Sequence, residues 1–231
     1  MSTLLITGAN RGIGLEFVTQ YIQAGWRVLA CCRNPDKAEA LNQIESKHSD
    51  LLSIYQLDIS YFTEIEELAA DLFDEEIDVL INNAGVYPES NLSSQDITDD
   101  NWILGFKINT MAPLKLAQLF APQIAQSQQK KIINITSKMG SITDNTSGGS
   151  YFYRSSKAAL NMITKSLAID LASQKIATAV LHPGWVQTEM GGANALITAQ
   201  KSVAGIRQVI NRLTLENSGK FYNYTGEEIP W

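Results

Sequence analysis

Short runs of β-branched and other apolar residues alternate with longer segments whose apolar positions recur every three or four residues. Thr3–Thr7, Arg27–Cys31, Leu52–Leu57, Asp78–Asn82, Lys131–Thr136 and Ala177–Leu181 are predicted strands, with Lys220–Tyr224 a weaker last one. Several are continuously apolar, as in strands covered on both faces. Ile13, Phe17 and Tyr21 repeat every four residues, and Gly25 follows as a helix stop. Leu160, Ile163, Leu167 and Leu171 mark a second stripe. Alternation with crossovers of helical length predicts an α/β fold, a doubly wound parallel sheet with helices on both faces. No internal repeat or linker interrupts the pattern, so residues 1–231 read as one domain.

Two stretches look longer and less regular, Pro88–Asp100 and Gln187–Gln200. In an open α/β sheet the ligand sits beyond the carboxyl ends of the strands, where such loops gather. The second stretch, about 187–200, is therefore the predicted substrate lid.

Composition narrows the function classes. Twenty-four acidic against eighteen basic residues give a net charge of −6, with no Lys/Arg block. A nucleic-acid role needs a positive footprint and is not expected. No uninterrupted apolar run is long enough for a bilayer, and the first residues pass straight into a strand pattern, so neither a membrane association nor a signal peptide is expected. The two cysteines, Cys31 and Cys32, are neighbours that close no useful loop, which fits a reducing, cytoplasmic setting. With His48 and His182 the only histidines, zinc-ligand spacings are missing and no metal is expected.

Directly after the first predicted strand comes Thr7-Gly8-Ala9-Asn10-Arg11-Gly12-Ile13-Gly14, opening the first helix. Gly8 permits a tight turn, and Gly12 and Gly14 let backbone amides approach a diphosphate at the positive end of that helix. The spacing is G-x3-G-x-G, different from the commoner G-x-G-x-x-G. At the end of the second strand, where an acid often binds the ribose hydroxyls of NAD, the chain reads Cys31-Cys32-Arg33-Asn34. Arg33, with Arg11 from the glycine turn, is suited to a 2′-phosphate through charge-assisted hydrogen bonds, which favours NADP(H).

Tyr153 and Lys157 lie four residues apart at the start of the stripe-bearing helix, on one face. A phenol titrates near 10 and is a poor base at neutral pH, but an adjacent ammonium and the positive ring of an oxidised cofactor favour phenolate.

With these features in order, the chain resembles the short-chain dehydrogenase/reductase family over its whole length. The motifs are Thr7–Gly14, Asn82-Asn83-Ala84-Gly85, Asn109, Ser137, Tyr153 with Lys157, and Pro183-Gly184. The runs Asn134–Ile142 and His182–Met190 and the closing Pro230-Trp231 look most like its carbonyl-reductase branch, which includes the C-factor and sniffer proteins. The resemblance implies a Rossmann-type fold and a catalytic group of Asn109, Ser137, Tyr153 and Lys157. In it, Tyr153 gives a proton to a carbonyl under reduction, Lys157 binds the nicotinamide ribose, and Ser137 hydrogen-bonds the substrate oxygen. Ser137 stands sixteen residues before Tyr153, more than is usual in the family, with the extra length in Asn145–Gly149; this keeps Ser141 as an alternative.

Asn109 is expected on a helix where Pro113, lacking an N–H, leaves the Asn109 carbonyl without its helical partner. In the family a water bound there links to Lys157. The implied cofactor site comprises Gly8, Asn10, Arg11, Gly12, Ile13, Gly14 and Arg33, then Asp58 and Ile59 at the adenine. Asn83, Ala84 and Gly85 lie beside the ribose, and Pro183, Gly184, Val186 and Thr188 on the nicotinamide side. His182 is read as a packed or backbone-bonded imidazole, and Tyr87, Met139, Trp185 and Met190 as an apolar substrate pocket.

The resulting expectation is an NADP(H)-dependent oxidoreductase that converts a ketone or aldehyde to an alcohol, active as a homodimer or homotetramer. A dinucleotide-binding regulator without catalysis is the first alternative. An epimerase or dehydratase is the second, although only 47 residues follow Gly184 to build a substrate domain.

Overall fold

The structure, a computed structural model, describes residues 1–87 and 98–231. Seven strands form one sheet: β1 (Thr3–Thr7), β2 (Arg27–Cys32), β3 (Leu52–Gln56), β4 (Val79–Asn82), β5 (Lys131–Ile135), β6 (Ala177–His182) and β7 (Lys220–Asn223). Their order is β3-β2-β1-β4-β5-β6-β7 and every neighbouring pair is parallel. All seven predicted strands are present, with ends within a residue of the sequence pattern. The chain builds outward from β1 to β3, then returns to lay β4 against the other side of β1. That reversal opens a crevice beyond the carboxyl ends of β1 and β4.

The helices are α1 (Gly12–Gln23), α2 (Glu39–Glu45), α3 (Phe62–Asp71), α4 (Asp99–Phe106), α5 (Ala112–Gln126), α6 (Tyr151–Asp170) and α7 (Ala199–Arg212). Strand alternation divides the core. Leu4, Ile6, Val28 and Ala30 face Phe17 and Val18 of α1, Leu41 of α2 and Val203 and Ile206 of α7. Leu5, Leu29, Leu80 and Ile132 face Ile65 of α3, Leu116 and Phe120 of α5 and Leu167 of α6. Each fully buried aliphatic or Phe side chain contributes about 1.5–3 kcal/mol through removal from water. Two such layers hold the strand ends in fixed register.

The second face is not wholly apolar. Asn82, Asn134 and Thr178 point from β4, β5 and β6 towards α5 and α6. Asn82 Nδ2 donates to Asn134 Oδ1 at 2.7 Å and to the Pro113 carbonyl at 3.3 Å. Asn134 Nδ2 donates to Thr164 Oγ1 at 2.8 Å, and Thr178 Oγ1 to the Thr164 carbonyl at 3.1 Å. These bonds cross-brace α5 and α6 onto the sheet with a directionality that apolar packing lacks.

One expectation changes. The predicted loop Pro88–Asp100 ends earlier, since Asp99 and Asp100 already form the first turn of α4, capped by Thr98 Oγ1 on the Asn101 amide; positions 88–97 lie outside the described residues. A single π-type turn, Lys107–Met111, joins α4 to α5, and Pro113 falls in the first turn of α5, where no N–H is required.

Candidate active site

The glycine turn sits on the crevice. Gly8 and Gly12 adopt φ of +66° and +54°. A Cβ on Gly14 would overlap the Gly8 carbonyl, so α1 can start against the turn only with glycine there. The segment after β4 holds this turn in place. Thr7 Oγ1 accepts the amides of Asn83 and Ala84, both at 3.1 Å, while Asn83 Nδ2 donates to the carbonyls of Thr7 and Gly8 at 2.9 and 3.0 Å. Arg11, the residue before α1, supplies no side-chain cap, and its first turn carries no acid. The helix start therefore keeps its positive end towards the crevice.

Next to it converge the four residues expected to be catalytic. Ser137 follows β5 and is hydrogen-bonded to Tyr153. Lys157, one turn further along α6, is buried and its Nζ donates to the Ile135 carbonyl at 2.9 Å. Its Nζ stands 5.8 Å from the centre of the Tyr153 ring. A Cβ placed on Gly85 would lie 3.2 Å from Asn109 Oδ1 and 3.6 Å from Lys157 Nζ, so the glycine turn's support, Asn109 and Lys157 share one small space. Gly140 is likewise obligatory: a Cβ there would come within 2.9 Å of the Lys157 backbone, and this close approach seats the Ser137 turn on α6.

Asn109 is completely buried in the π turn. Its Oδ1 accepts the Val86 amide and its Nδ2 donates to the Val86 carbonyl, each at 2.9 Å, and Nδ2 also reaches Ser156 Oγ at 3.1 Å. Ser156 Oγ in turn donates to the Tyr153 carbonyl at 2.9 Å. Ser156 carries no motif of its own, and sequence reading passed over it. Ser141, the alternative to Ser137, is engaged elsewhere, donating to the Pro230 carbonyl at 2.6 Å and accepting the Asp144 amide at 3.1 Å.

Burial pushes the Tyr153 phenol up to about 12, against a smaller downward pull from the Ser137 hydrogen bond. Burial also brings the Lys157 ammonium down to about 8. Both groups are desolvated, and burial drives each towards its neutral form.

A family model described as short chain dehydrogenase matches residues 2–196. The chain belongs to the short-chain dehydrogenase family. The C-signal of Myxococcus xanthus is 45% identical over 157 residues, covering 67% of this chain and 93% of that protein. Carbonyl reductase Sniffer of D. melanogaster superposes with a TM-score of 0.93 at 36% identity, covering 100% of both chains. An NADPH-bound carbonyl reductase from chicken fatty liver gives a TM-score of 0.93 at 35% identity, covering 100% of this chain and 99% of that one. This short-chain dehydrogenase is thus carbonyl-reductase-like, with an oxidoreductase fold.

The remaining residues of the short-chain dehydrogenase site spread around the crevice. Arg33 is exposed just past β2. Arg11, expected beside it, instead forms an ion pair with Glu189, a residue that sequence reading had not selected. Asp58 shapes the turn before α3: Oδ1 accepts the Ser60 amide at 2.9 Å and its own amide donates to Glu64 Oε2 at 2.7 Å, with Ile59 buried beside it. His182 Nδ1 accepts the Lys138 amide at 3.1 Å, and burial lowers the imidazole to about 4, so it is neutral and backbone-bonded as expected.

The stretch from Gln187 is an ordered loop that ends at α7. Val186 bridges Ile197, the Gln187 amide donates to the Ile197 carbonyl at 2.8 Å, and Trp185 Nε1 to the Gly191 carbonyl at 2.7 Å. Pro183 takes a 2.6 Å bond from Ser202 Oγ, and Gly184 has φ of +83°. Thr188 packs over the glycine turn: its Cγ2 is 3.2 Å from where a Gly12 Cβ would stand. Of the expected pocket residues, Tyr87 lies against Tyr153, Met139 is half-buried, and Trp185 and Met190 on the loop are each 51% exposed. The Asn145–Gly149 stretch is tied down by Arg154, which donates to Ser147 Oγ at 2.9 Å and to the Met139 carbonyl at 3.3 Å. Among the described residues no helix is long and apolar enough to cross a membrane.

Proposed function

We propose that this chain is an NADP(H)-dependent carbonyl reductase that converts a ketone or aldehyde to an alcohol. The observation that carries the reading is the buried Ser137–Tyr153 hydrogen bond, with Lys157 one turn away, at the strand ends beside the glycine turn that opens α1. When bound, the nicotinamide supplies the hydride.

The chain's own residues fit that partner. The Lys157 ammonium has three N–H donors and the Ile135 carbonyl takes one, which leaves donors for ribose hydroxyls. Arg33 and Arg11 stand at the rim for a 2′-phosphate. Ser137 orients the carbonyl oxygen, and Tyr153, held protonated by burial, donates its proton to that oxygen as negative charge develops. Asn109, through Val86 and Ser156, fixes the backbone on both sides of this pair. Gly8, Asn10, Gly12, Ile13 and Gly14 hold the diphosphate, Asp58 and Ile59 the adenine, and Thr188 the nicotinamide side, with loop 187–198 as the lid. Tyr87, Met139, Trp185 and Met190 surround the substrate.

The likeness to a chicken carbonyl reductase carrying NADPH supports both the cofactor and the reaction. A second reading is a dinucleotide-binding regulator, and a relative is named a signal, but a regulator needs no proton donor and this chain keeps one. The outward face of α6, with Met162 and Ile169 exposed, and the exposed Met111 at the end of the π turn before α5 are the surfaces for the proposed homodimer or homotetramer. Free, buried Cys31 and Cys32 suit a cytoplasmic setting.

The test is NADPH consumption with a panel of aldehydes, quinones, diketones and steroids. Wild type turns over at least one of them, while Tyr153→Phe loses about 10³-fold or more in turnover and keeps NADPH affinity within a few-fold. Near-normal reduction by that variant overturns the reading.

A further inference from the structure

Tyr87 lies five residues past β4 and outside every motif that marks the family. Its ring centre is 4.4 Å from that of Tyr153, with the planes inclined by 35°. Its hydroxyl is 2.8 Å from Ser150 Oγ. Ser150 is the residue before α6, held at φ +46° in the left-handed region where non-glycine residues are uncommon. One side chain therefore touches both the ring of the proposed proton donor and the strained residue that starts its helix. The backbone of Val86, next to Tyr87, is clamped by Asn109, so this ring is mounted on a fixed support.

We infer that Tyr87 is a positioning residue for the proposed reaction: its ring covers one face of Tyr153, holds the phenol in line with Ser137 and keeps water from that face. The inference rests on the carbonyl-reductase reading and assigns Tyr87 a task beyond lining the substrate pocket. The ring itself does the positioning, and the Ser150 contact is a second tether at its far end. An inclined aromatic pair at this separation restricts both rings far more than an aliphatic neighbour does. Among the described residues, Ser137 from the turn after β5, Lys157 from its own helix and Tyr87 from the loop after β4 face Tyr153. Of these, Tyr87 is the large aromatic cover. Its loss admits solvent, weakens the burial that keeps the phenol protonated, and frees the ring to leave Ser137.

The experiment compares Tyr87→Leu and Tyr87→Phe with wild type and Tyr153→Phe, all as full chains saturated with NADPH, reading kcat, KM and the pH profile of reduction. Tyr87→Leu is expected to lower kcat about tenfold or more with KM changed less than about threefold. The alkaline inflection of kcat, where the donor loses its proton, moves down by about one pH unit. Tyr87→Phe, which keeps the ring, restores kcat to within about threefold and returns the inflection to the wild-type position. If NADPH binding shows that Tyr87→Leu is misfolded, Tyr87→Met carries the same comparison. An unchanged pH profile and kcat in the aliphatic variant, with Tyr153→Phe inactive, overturns the inference and leaves the reductase reading standing. An active Tyr153→Phe overturns the reductase reading itself. A Tyr87→Phe variant as impaired as the aliphatic one also overturns the inference, since the hydroxyl and not the ring is then responsible.

Discussion

Asn109 and Val86 exchange two hydrogen bonds of 2.9 Å, side-chain amide to backbone on both the N–H and the C=O. Asn109 thus acts as a one-residue strand partner, extending the order of β4 past its last ladder bond. Its replacement by Leu leaves the Val86 N–H and C=O without these partners in the interior. Each such loss costs about 1–3 kcal/mol. Asn109→Leu is expected to lower unfolding stability by about 2–4 kcal/mol in urea titrations. A loss below about 0.5 kcal/mol shows that the clamp is dispensable.

Lys157 links activity to a stability cost. Its folded pKa, about 8, lies below its ordinary value of 10.5, so between these values the unfolded chain holds a proton that the folded chain has released. Stability from this group therefore rises as pH climbs from 8 to 10.5, and below 8 the full penalty applies. Lys157→Met is expected to remove that slope and to raise stability at pH 7 by on the order of 1–2 kcal/mol, while reductase turnover falls at least about 100-fold. Urea midpoints at pH 7 and pH 9.5 for both proteins check it; a wild-type curve that is flat across that interval contradicts the assignment.

His182 gives a second pH signature at the acid end. Its imidazole is lowered from 6.5 to about 4 by burial, so as pH falls through this interval the unfolded chain takes up a proton first. Wild type loses stability over that range, and the loss levels off below about 4. His182→Asn keeps an acceptor for the Lys138 amide but does not protonate. It is expected to match wild type near pH 7.5 and to exceed it at pH 5 by on the order of 2 kcal/mol, measured by thermal or urea unfolding.

Two arginines separate cofactor charge from lid contact. Arg33→Ala is expected to weaken NADPH binding about 10- to 100-fold and NADH binding less than about twofold, since only NADPH carries the 2′-phosphate. Glu189 engages Arg11 across the crevice through an exposed ion pair, an interaction of small energy. Glu189→Gln is expected to tighten NADPH binding about two- to fivefold at low salt, with the gain gone at high salt. Fluorescence titration with both cofactors reads both variants; equal effects on NADH and NADPH contradict the 2′-phosphate role.

Most of this fold was written in local pattern. Strand periodicity is a property of neighbouring residues, and continuous apolar runs such as Leu4–Ile6 and Ile132–Ile133 give parallel, doubly covered strands whatever the details of packing. The glycine turn was equally legible, because Gly8 and Gly12 need positive φ and Gly14 needs the absence of a side chain, and both demands are local. The spacing of Tyr153 and Lys157 on one helical face followed from the turn of the helix. Proline's missing N–H pointed to an irregularity near Asn109 but not to its form, a π turn whose Asn109 and Thr110 side chains bond Ser156 of α6.

Contacts between distant segments were beyond the sequence. Ser156 and Glu189 carry no spacing signal, and they matter only because the fold brings them to Asn109 and Arg11. That the Ser141 hydroxyl is taken up by the Pro230 carbonyl, 89 positions along the chain, is likewise invisible locally. The Tyr153–Lys157 spacing places a cation one turn away, but the desolvation of both groups is fixed only by the assembled interior. The order of residues thus determined which elements form and which groups share a face, because those depend on dihedral preference and period. Tertiary packing determined which polar groups are dry, which are paired across the crevice, and where Tyr87 rests against Tyr153, because burial and long-range contact exist only once the layers close.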